Sequence, residues 1–291
     1  MTGRERGVAT TDFARTIWIM WWQGFDEAPE LVQRCLGSWR TLNPGWSVVE
    51  LDSRTVSQYV SLDQVLGEGR TDVSVQARSD IVRINILAAY GGVWVDATCL
   101  CRAPLDSWLD RYMTSGFFAF RKPGRDRLLS SWFLAAVKGT YLVAGYRDRV
   151  NSYWGSNRFV NGCLDCGRRR LILRPLVALG HRGTRFTRLW FWPVATKWLK
   201  GYPYYWFHYL MEELIRTDPK SRQAWDSVPE FRARPIVAFA RPTKLVQHLT
   251  PTTKDFIDGD DAPLYKLSWK YDSDEAKSGT VVHYLLETAA R

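Results

Sequence analysis

Two acidic residues and one arginine around a glycine pair have the spacing of a polar binding site. Asp80 and Arg83 lie three residues apart in an apolar stretch, so on a helix they would be neighbours on one face. The glycine pair at 91–92 would end that helix, and Asp96 follows a short apolar run. A carboxylate accepts hydrogen bonds or holds a hard cation, and a guanidinium donates in a fixed fork. These residues therefore predict a site for a polar or charged ligand.

A simpler interpretation of each residue stays open. Asp80 and Arg83 could form a solvent-exposed ion pair, which contributes little to stability. Asp96 could be an ordinary turn residue. The succession of a helix with an acid and a base, a glycine hinge and a strand-end carboxylate favours a functional site.

The elements that would position these residues follow from the apolar periodicity. Ser74 can cap a helix that starts at Val75. Before this helix, the sequence predicts a strand over 16–22, a helix over 29–41 and a strand over 46–51. After it, the sequence predicts a strand over 116–120, helices over 128–137, 139–153 and 202–215, and a final strand over 280–285.

The first strand, helix and second strand predict one edge of a parallel sheet as the ligand site. Such units have parallel strands with a right-handed connection, and open parallel sheets bind ligands beyond the carboxyl ends of their strands. Gln23, Asp52 and Asp96 each follow a predicted strand. We therefore expect these three side chains on one edge of the sheet.

The central stretch resembles a known family of enzymes. The predicted helix carries Asp80-x-x-Arg83, and Gly91-Gly92-Val93-Trp94-Val95-Asp96 follows it. This succession resembles that of the capsular polysaccharide synthesis proteins. These are nucleotide-sugar glycosyltransferases with a DxD-type sugar-binding motif. The segments 17–24, with Ala28-Pro29, and 265–270 resemble the opening and closing segments of the family. The resemblance therefore spans most of the chain.

The resemblance implies a fold and a division of the chain. It implies an α/β fold of the glycosyltransferase A type, with a Rossmann-like, mostly parallel sheet flanked by helices and a helical insertion. Residues 1–15 would be a flexible N-terminus and 16–291 a single glycosyltransferase domain. The basic, aromatic stretch at about 158–200 would be the helical insertion. Two interpretations of this insertion stay open: a subdomain with a solvated basic face, or an interfacial helix on anionic lipid.

The resemblance also implies catalytic and donor-binding residues. Asp96 would contact the donor phosphate or its metal, and Asp80 and Arg83 would hold hydroxyls of the donor sugar and ribose. Further donor-binding residues would be Trp22, Gln23, Asp52, Arg78, Trp94, Trp269 and Lys270. Each of these aromatic residues could instead belong to the core. Lys266 is an alternative to Lys270 as a cation for the phosphates.

A divalent metal, Mn²⁺ or Mg²⁺, is the cofactor that the resemblance implies. Its ligands would be Asp96, Thr98 and His283. Thr98 stands where the DxD pattern has its second acid, and a hydroxyl is a weaker, neutral ligand. An ordinary strand histidine is the alternative for His283.

Composition favours an anionic partner without a nucleic-acid motif. The chain has 40 Lys and Arg residues against 30 Asp and Glu residues, a formal net charge of +10. The excess is concentrated over 102–200, including the triplet 168–170, and no nucleic-acid-binding motif accompanies it. The 15 Trp residues suit sugars, nucleobases or lipid interfaces. We expect no nucleic acid, and an anionic membrane surface is one candidate partner.

Cysteines and hydropathy indicate a cytoplasmic protein. Five Cys residues include one CxxC and one CxC, which lack the further ligands of a zinc site, so free thiols are expected. No signal peptide is visible and no apolar run of about 18 residues occurs. A peripheral position on the inner face of the membrane is the alternative localisation.

The resemblance implies a retaining, metal-assisted glycosyltransferase. It would move a sugar from a nucleotide-sugar donor to a capsular or cell-surface polysaccharide or a glycolipid. A UDP-sugar is the donor that we expect. A catalytically inactive sugar-nucleotide or membrane-surface binding protein is the second hypothesis. A nucleic-acid-binding protein is a third, which rests on charge alone.

Overall fold

Strands and helices alternate along the first hundred residues, as the apolar pattern predicts. The computed structural model describes residues 13–70, 73–166 and 173–288. The order is β1 (Thr16–Met20), α1 (Glu30–Leu42), β2 (Ser47–Leu51), α2 (Leu62–Leu66), α3 (Val75–Tyr90), β3 (Gly92–Asp96) and β4 (Cys99–Cys101). Short 3-10 helices cover Val56–Gln58, Leu105–Ser107 and Asp110–Tyr112.

A hairpin and a mainly helical region follow. The elements are β5 (Phe117–Gly124), β6 (Arg127–Ala136), α4 (Tyr141–Gly155), α5 (Arg174–Gly180), α6 (Trp206–Thr217), α7 (Pro219–Asp226), α8 (Pro242–Leu245), α9 (Pro251–Gly259), β7 (Leu264–Lys266) and α10 (Val281–Thr288). Shorter helical turns cover Thr184–Phe191, Val194–Trp198 and Ser273–Glu275.

The central sheet is mostly parallel. Within the described ranges, five strands form it in the order β2-β1-β3-β6-β5. β1 is parallel to β2 and β3, whereas β6 is antiparallel to β3 and to β5. Only β6 of these five therefore runs against the others. The predicted α/β class, a mostly parallel sheet flanked by helices, is confirmed.

Helices cover both faces of this sheet. Ile17 and Ile19 of β1 pack into the core layer that includes α1, and the alternate residues Trp18 and Met20 pack into the layer that includes α3 and α4. This alternation is the period of two that a strand imposes. Helix α3 therefore lies on one face of the sheet, and its Arg83 side chain reaches the end of β3.

The predicted cap and hinge of α3 are confirmed. The Ser74 hydroxyl oxygen accepts a hydrogen bond from the Ala77 N–H at 3.2 Å. Gly91 and Gly92 have φ values of +72° and +91°, a region that favours glycine. β3 therefore begins directly after α3.

Replacing Gly92 by alanine is expected to destabilise the fold strongly. A Cβ atom on Gly92 would lie 2.5 Å from the carbonyl oxygen of Thr16 on β1. Alanine also disfavours the positive φ, and the carbonyl oxygen cannot move without disturbing the pairing of β1 with β3. We expect the free energy of unfolding, measured by urea denaturation, to fall by about 2 kcal/mol or more.

Gly37→Ala is the control with the opposite sign. Gly37 lies within α1, and a Cβ atom there would meet nothing within 4 Å. Alanine is favoured over glycine in a helix by about 0.5–1 kcal/mol, so this variant should unfold at higher urea concentration. If the two substitutions changed the free energy of unfolding equally, the close approach of Gly92 to the Thr16 carbonyl oxygen would be contradicted.

Two predicted elements are wrong in type. The stretch 128–137 is strand β6 instead of a helix, because it is buried on both faces and therefore reads as a continuous apolar run. The stretch 280–285, apart from Thr280, belongs to helix α10 instead of a strand. Its residues Val281, Val282 and Leu285 are buried together at helical spacing. The two adjacent valines are β-branched, and for this reason the segment resembles a strand in sequence.

The basic, aromatic stretch is helical in part, since helical turns cover Arg174–Gly180, Thr184–Phe191 and Val194–Trp198, whereas 158–166 contains no helix. Trp190 is buried in a small apolar cluster, whereas Trp192 and Trp198 are 52% and 83% exposed. The predicted N-terminus up to residue 12 and the basic triplet 168–170 lie outside the described residues. The division into one domain with an insertion stays a prediction. No helix of the described chain is both long and apolar enough to cross a membrane.

The cysteines differ in part from the expectation of free thiols. Cys163 and Cys166 form a disulfide, since a separation of three residues brings their Cα atoms to 5.5 Å. Cys35, Cys99 and Cys101 are free and buried.

Candidate functional site

Four charged side chains meet at the carboxyl end of β3. An Arg83 guanidinium nitrogen lies 3.1 Å from Asp80 Oδ1 and 3.4 Å from Asp96 Oδ1. The Lys266 Nζ lies 3.6 Å from Asp96 Oδ2. The sheet register pairs Asp96 with Met20, the last residue of β1. The cluster therefore stands on the sheet edge where parallel strands end, which is where ligands bind in such sheets.

Arg83 is the buried centre of this cluster. Its side chain is 6% exposed, and Asp80 is 13% exposed, so the interpretation as a solvated ion pair is wrong. The guanidinium donates to the Ser131 carbonyl oxygen on β6, and its carbon lies 5.2 Å from the centre of the Trp94 ring. These contacts lock α3 to the sheet and fix both carboxylates.

Lys266 reaches the cluster through a second, smaller sheet. β7 pairs antiparallel with β4, and Lys266 stands opposite Cys99. The Lys266 ammonium donates to the Thr98 hydroxyl. The strand pairing therefore places the ammonium beside Asp96, although Lys266 lies 170 positions after Asp96 in the sequence.

The two carboxylates differ in their protonation. Burial opposes ionisation of Asp96, but Arg83, Lys266 and a hydrogen bond from the Trp94 indole N–H outweigh it and lower the pKa of Asp96. Burial raises the pKa of Asp80 to about 7, because desolvation outweighs the attraction of Arg83. Asp96 is therefore the carboxylate that is fully charged near neutral pH.

The raised pKa of Asp80 predicts a loss of stability with rising pH. Folded Asp80 binds a proton more readily than unfolded Asp80, so its contribution is present below about pH 4 and lost as the pH rises through about 7. Asn at position 80 cannot ionise. Relative to wild type, the free energy of unfolding of Asp80→Asn should rise by about 2–3 kcal/mol between about pH 5 and pH 8. Urea denaturation of both proteins at both pH values measures this change. A difference in the free energy of unfolding between wild type and Asp80→Asn that is the same at both pH values would contradict the raised pKa of Asp80.

Trp22 and Arg78, two predicted donor-binding residues, lie together. The Arg78 guanidinium carbon is 5.6 Å from the centre of the Trp22 ring. Arg78 also donates to the carbonyl oxygens of Arg70 at 2.8 Å and Val73 at 3.1 Å, which anchors the segment before α3. Since Trp22 follows β1 and is partly exposed, this pair offers a cationic, aromatic surface near the strand ends.

Trp94 and Trp269 have different surroundings. Trp94 is 1% exposed, and its indole N–H donates to Asp96 Oδ1 at 3.2 Å, so it supports the cluster from within the core. Trp269 is 42% exposed and packs edge-on against Trp21, with ring centroids 5.6 Å apart. Contact of either ring with a donor stays a prediction.

Asp52 organises the turn after β2. Its carboxylate accepts hydrogen bonds from the backbone N–H groups of Thr55 and Arg54, both at 2.8 Å, and from the Arg54 side chain at 2.9 Å. The Thr55 N–H and the Arg54 guanidinium hold the pKa of Asp52 well below its usual range. Gln23 is exposed in the loop after β1. Donor binding by Asp52 or Gln23 stays a prediction.

The predicted metal ligands do not form a divalent-ion site. The Thr98 hydroxyl accepts from Lys266, and the oxygens of Asp96 face Arg83 and Lys266. His283 lies on α10 instead of a strand, with its Nδ1 3.6 Å from Glu287 Oε2. One carboxylate flanked by two cations is a poor oxygen donor set for Mg²⁺ or Mn²⁺, because the added charge would be repelled.

His208 is a buried histidine on helix α6. Burial lowers its pKa to about 3, so it is neutral at physiological pH. Its Nδ1 has no hydrogen-bond partner among the described residues.

Lys266 is the site residue that the sequence leaves undecided. Lys266 and Lys270 both occur in the closing segment, and only the strand pairing distinguishes them. Lys270 is exposed, and its backbone N–H donates to Ser268 Oγ at 3.3 Å. The alternation of buried Tyr265 and Leu267 around Lys266 is the signal that points to the inner lysine.

Two cavities lie apart from this cluster. One of about 590 Å³ is lined by residues of α4 and α6 together with Phe191 and Lys197. Another of about 330 Å³ lies beside α2 and α4. Neither is lined by Asp80, Arg83 or Asp96, so the charged cluster is a separate feature that reaches solvent through Asp96 and Lys266, which are 27% and 21% exposed.

Several relatives of this chain among known proteins are glycosyltransferases. The chain is 27% identical over 178 residues to O-glycosyltransferase braB of Annulohypoxylon truncatum, which covers 55% of this chain and 42% of the relative. It is also 27% identical over 195 residues to O-glycosyltransferase PaGT of Phomopsis amygdali, covering 60% of this chain and 47% of the relative. The chain thus spans less than half the length of each.

A structure and a family profile complete the comparison. The PaToxG glycosyltransferase aligns over 84% of both chains at 15% identity, but a TM-score of 0.38 is too low to support an argument. The profile described as capsular polysaccharide synthesis protein matches residues 6–161, more than half of the chain and the whole segment from β1 to α4. The chain therefore belongs to the capsular polysaccharide synthesis protein family.

Proposed function

We propose that this protein is a glycosyltransferase that moves a sugar from a nucleotide-sugar donor to a saccharide or lipid-linked acceptor. The observation that carries the proposal is the meeting of Asp80, Arg83, Asp96 and Lys266 on the carboxyl edge of the sheet. Membership of the capsular polysaccharide synthesis family and similarity to two O-glycosyltransferases support it.

Each member of the cluster suits one part of the donor. Asp96 is ionised and partly exposed, so it can accept hydrogen bonds from sugar or ribose hydroxyls. Arg83 is a positioning residue, since its guanidinium is buried and engaged with protein groups. Lys266 is a reachable cation for the diphosphate, and the Trp22–Arg78 pair is a surface for the base.

The finer parts of the proposal concern donor, acceptor and stereochemistry. We propose a UDP-sugar as donor, a growing cell-surface polysaccharide or glycolipid as acceptor, and retention of the anomeric configuration. The +10 charge and the exposed Trp192 and Trp198 support transfer at an anionic membrane surface.

A sugar-nucleotide binding protein without catalysis is the second candidate. Thr98 favours it, because a neutral hydroxyl replaces the second acid of the DxD pattern. Binding without turnover would distinguish it from an enzyme, provided that saccharide and lipid-linked acceptors are both supplied.

Donor turnover is the experiment that tests the proposed function. The full chain is incubated with UDP-, GDP- and CMP-sugars, with and without Mn²⁺, and the released nucleotide is measured. Slow release from one class of donor, accelerated by a saccharide or lipid-linked acceptor, is the expected result. Absence of both binding and release with every donor would reject the glycosyltransferase.

A further inference from the structure

The Lys266 ammonium occupies the space between the two side chains that the DxD-type pattern assigns to a metal. Its Nζ donates to Thr98 Oγ1 and lies 3.6 Å from Asp96 Oδ2. A positive charge therefore already stands where a bridging divalent ion would have to lie. A metal ion would have to displace this ammonium or stand beside it against their repulsion.

Main-chain hydrogen bonds fix the position of Lys266. Its own N–H donates to the Ile236 carbonyl oxygen, and the Leu267 N–H donates to the Thr98 carbonyl oxygen, both at 2.8 Å. The neighbouring Tyr265 and Leu267 are buried. The ammonium is thus presented by a rigid strand, and a cation placed in advance stabilises developing charge without reorganisation.

Lys266 is also the cation of the cluster that a ligand can reach. Arg83 is 6% exposed, donates to the carbonyl oxygens of Ser79 and Ser131, and forms ion pairs with both carboxylates. Lys266 is 21% exposed, and its neighbours Thr98 and Asp96 are groups that it can exchange for a phosphate oxygen. An ammonium is a compact point charge with three donors, which suits a phosphate.

We propose that Lys266, in place of a divalent ion, binds the distal phosphate of the donor and stabilises the leaving nucleoside diphosphate. This inference rests on the proposed glycosyltransferase function. In the reaction, the bond between the anomeric carbon and the distal phosphate oxygen breaks, and its electron pair stays on that oxygen. The acceptor hydroxyl oxygen bonds to the anomeric carbon, and its proton passes to the departing phosphate. Lys266 remains protonated throughout.

The test measures nucleotide binding and donor turnover without metal. UDP and GDP are titrated calorimetrically into the full chain in excess EDTA, for wild type, Lys266→Met, Lys266→Arg and the control Lys244→Met. Lys244 is an exposed lysine on α8. Wild type and Lys244→Met should bind and turn over the donor in EDTA. Lys266→Met should lose at least about tenfold in diphosphate affinity and about 100-fold in turnover, and Lys266→Arg should retain part of both.

Two outcomes overturn the role of Lys266 and leave the glycosyltransferase intact. One is a wild type that binds and turns over donor only with Mn²⁺ and loses both in EDTA, a result that does not depend on the folding of any variant. The other is a Lys266→Met variant that turns over donor in EDTA as fast as wild type. If wild type neither binds nor turns over any donor, with or without Mn²⁺, the proposed function fails and this inference fails with it.

Discussion

Asp96→Asn should lower donor turnover by about 10²–10³-fold while leaving the fold in place. Asp96 is the ionised carboxylate of the cluster, and Asn keeps its shape and its ability to accept from the Trp94 indole N–H. The substitution removes the negative charge that orients Arg83 and Lys266. Under the proposed function, it also replaces the strong acceptor for donor hydroxyls by a weaker one. Released nucleotide measures the effect.

Asp255→Asn is the matched control for this variant. Asp255 is an exposed carboxylate on α9 that is not part of the charged cluster, so its substitution should leave turnover unchanged. Circular dichroism and urea denaturation establish that both variants are folded. Wild-type turnover by a folded Asp96→Asn protein would show that the reaction occurs away from the end of β3.

Arg83→Met is expected to cost about 3–5 kcal/mol of stability. Arg83 is the cation against Asp80 and Asp96, and its removal leaves Asp80 buried without a counter-charge. The guanidinium also packs between the rings of Trp94 and Phe207, at 5.2 and 5.7 Å from their centres. Methionine restores apolar volume but neither the charge nor the hydrogen bonds. Urea denaturation at about pH 7–8 measures the loss.

Arg34→Met provides the comparison with an exposed ion pair. Arg34 is 54% exposed and pairs with Glu30 one helical turn away, 3.3 Å apart, on α1. Exposed pairs of this kind contribute little, so its substitution should change the unfolding midpoint only slightly. If Arg83→Met were equally mild, the variant would have to tolerate Asp80 without its counter-charge, either protonated, as the raised pKa of Asp80 allows, or solvated by water.

The positions of Asp80, Arg83 and Asp96 were predicted from short-range features of the sequence. Ser74, the helical spacing of apolar residues and the glycine pair are each readable over a few residues, because capping, periodicity and positive φ act locally. The parallel arrangement of β1, β2 and β3 also follows from their short-range connections. Local signals and short connections are therefore sufficient to place Asp80, Arg83 and Asp96 together.

The local sequence pattern gave no correct prediction where a strand is buried on both faces or where a contact joins segments far apart in the chain. β6 is buried on both faces, so its apolar run has no period that distinguishes a strand from a helix. The choice of Lys266 over Lys270 depends on the pairing of β7 with β4, which lies far away in the chain. Neither outcome is a property of the residues within a short window.

Residue types and spacing were enough to predict the α/β class, the hinge at the glycine pair and the acids and arginine beside it. Tertiary packing alone turned that ion pair into a buried one and brought Lys266 to Thr98 and Asp96. The physical reason is that capping and periodicity are encoded over a few residues. Desolvation and cross-strand contact depend on which distant segments finally cover a side chain.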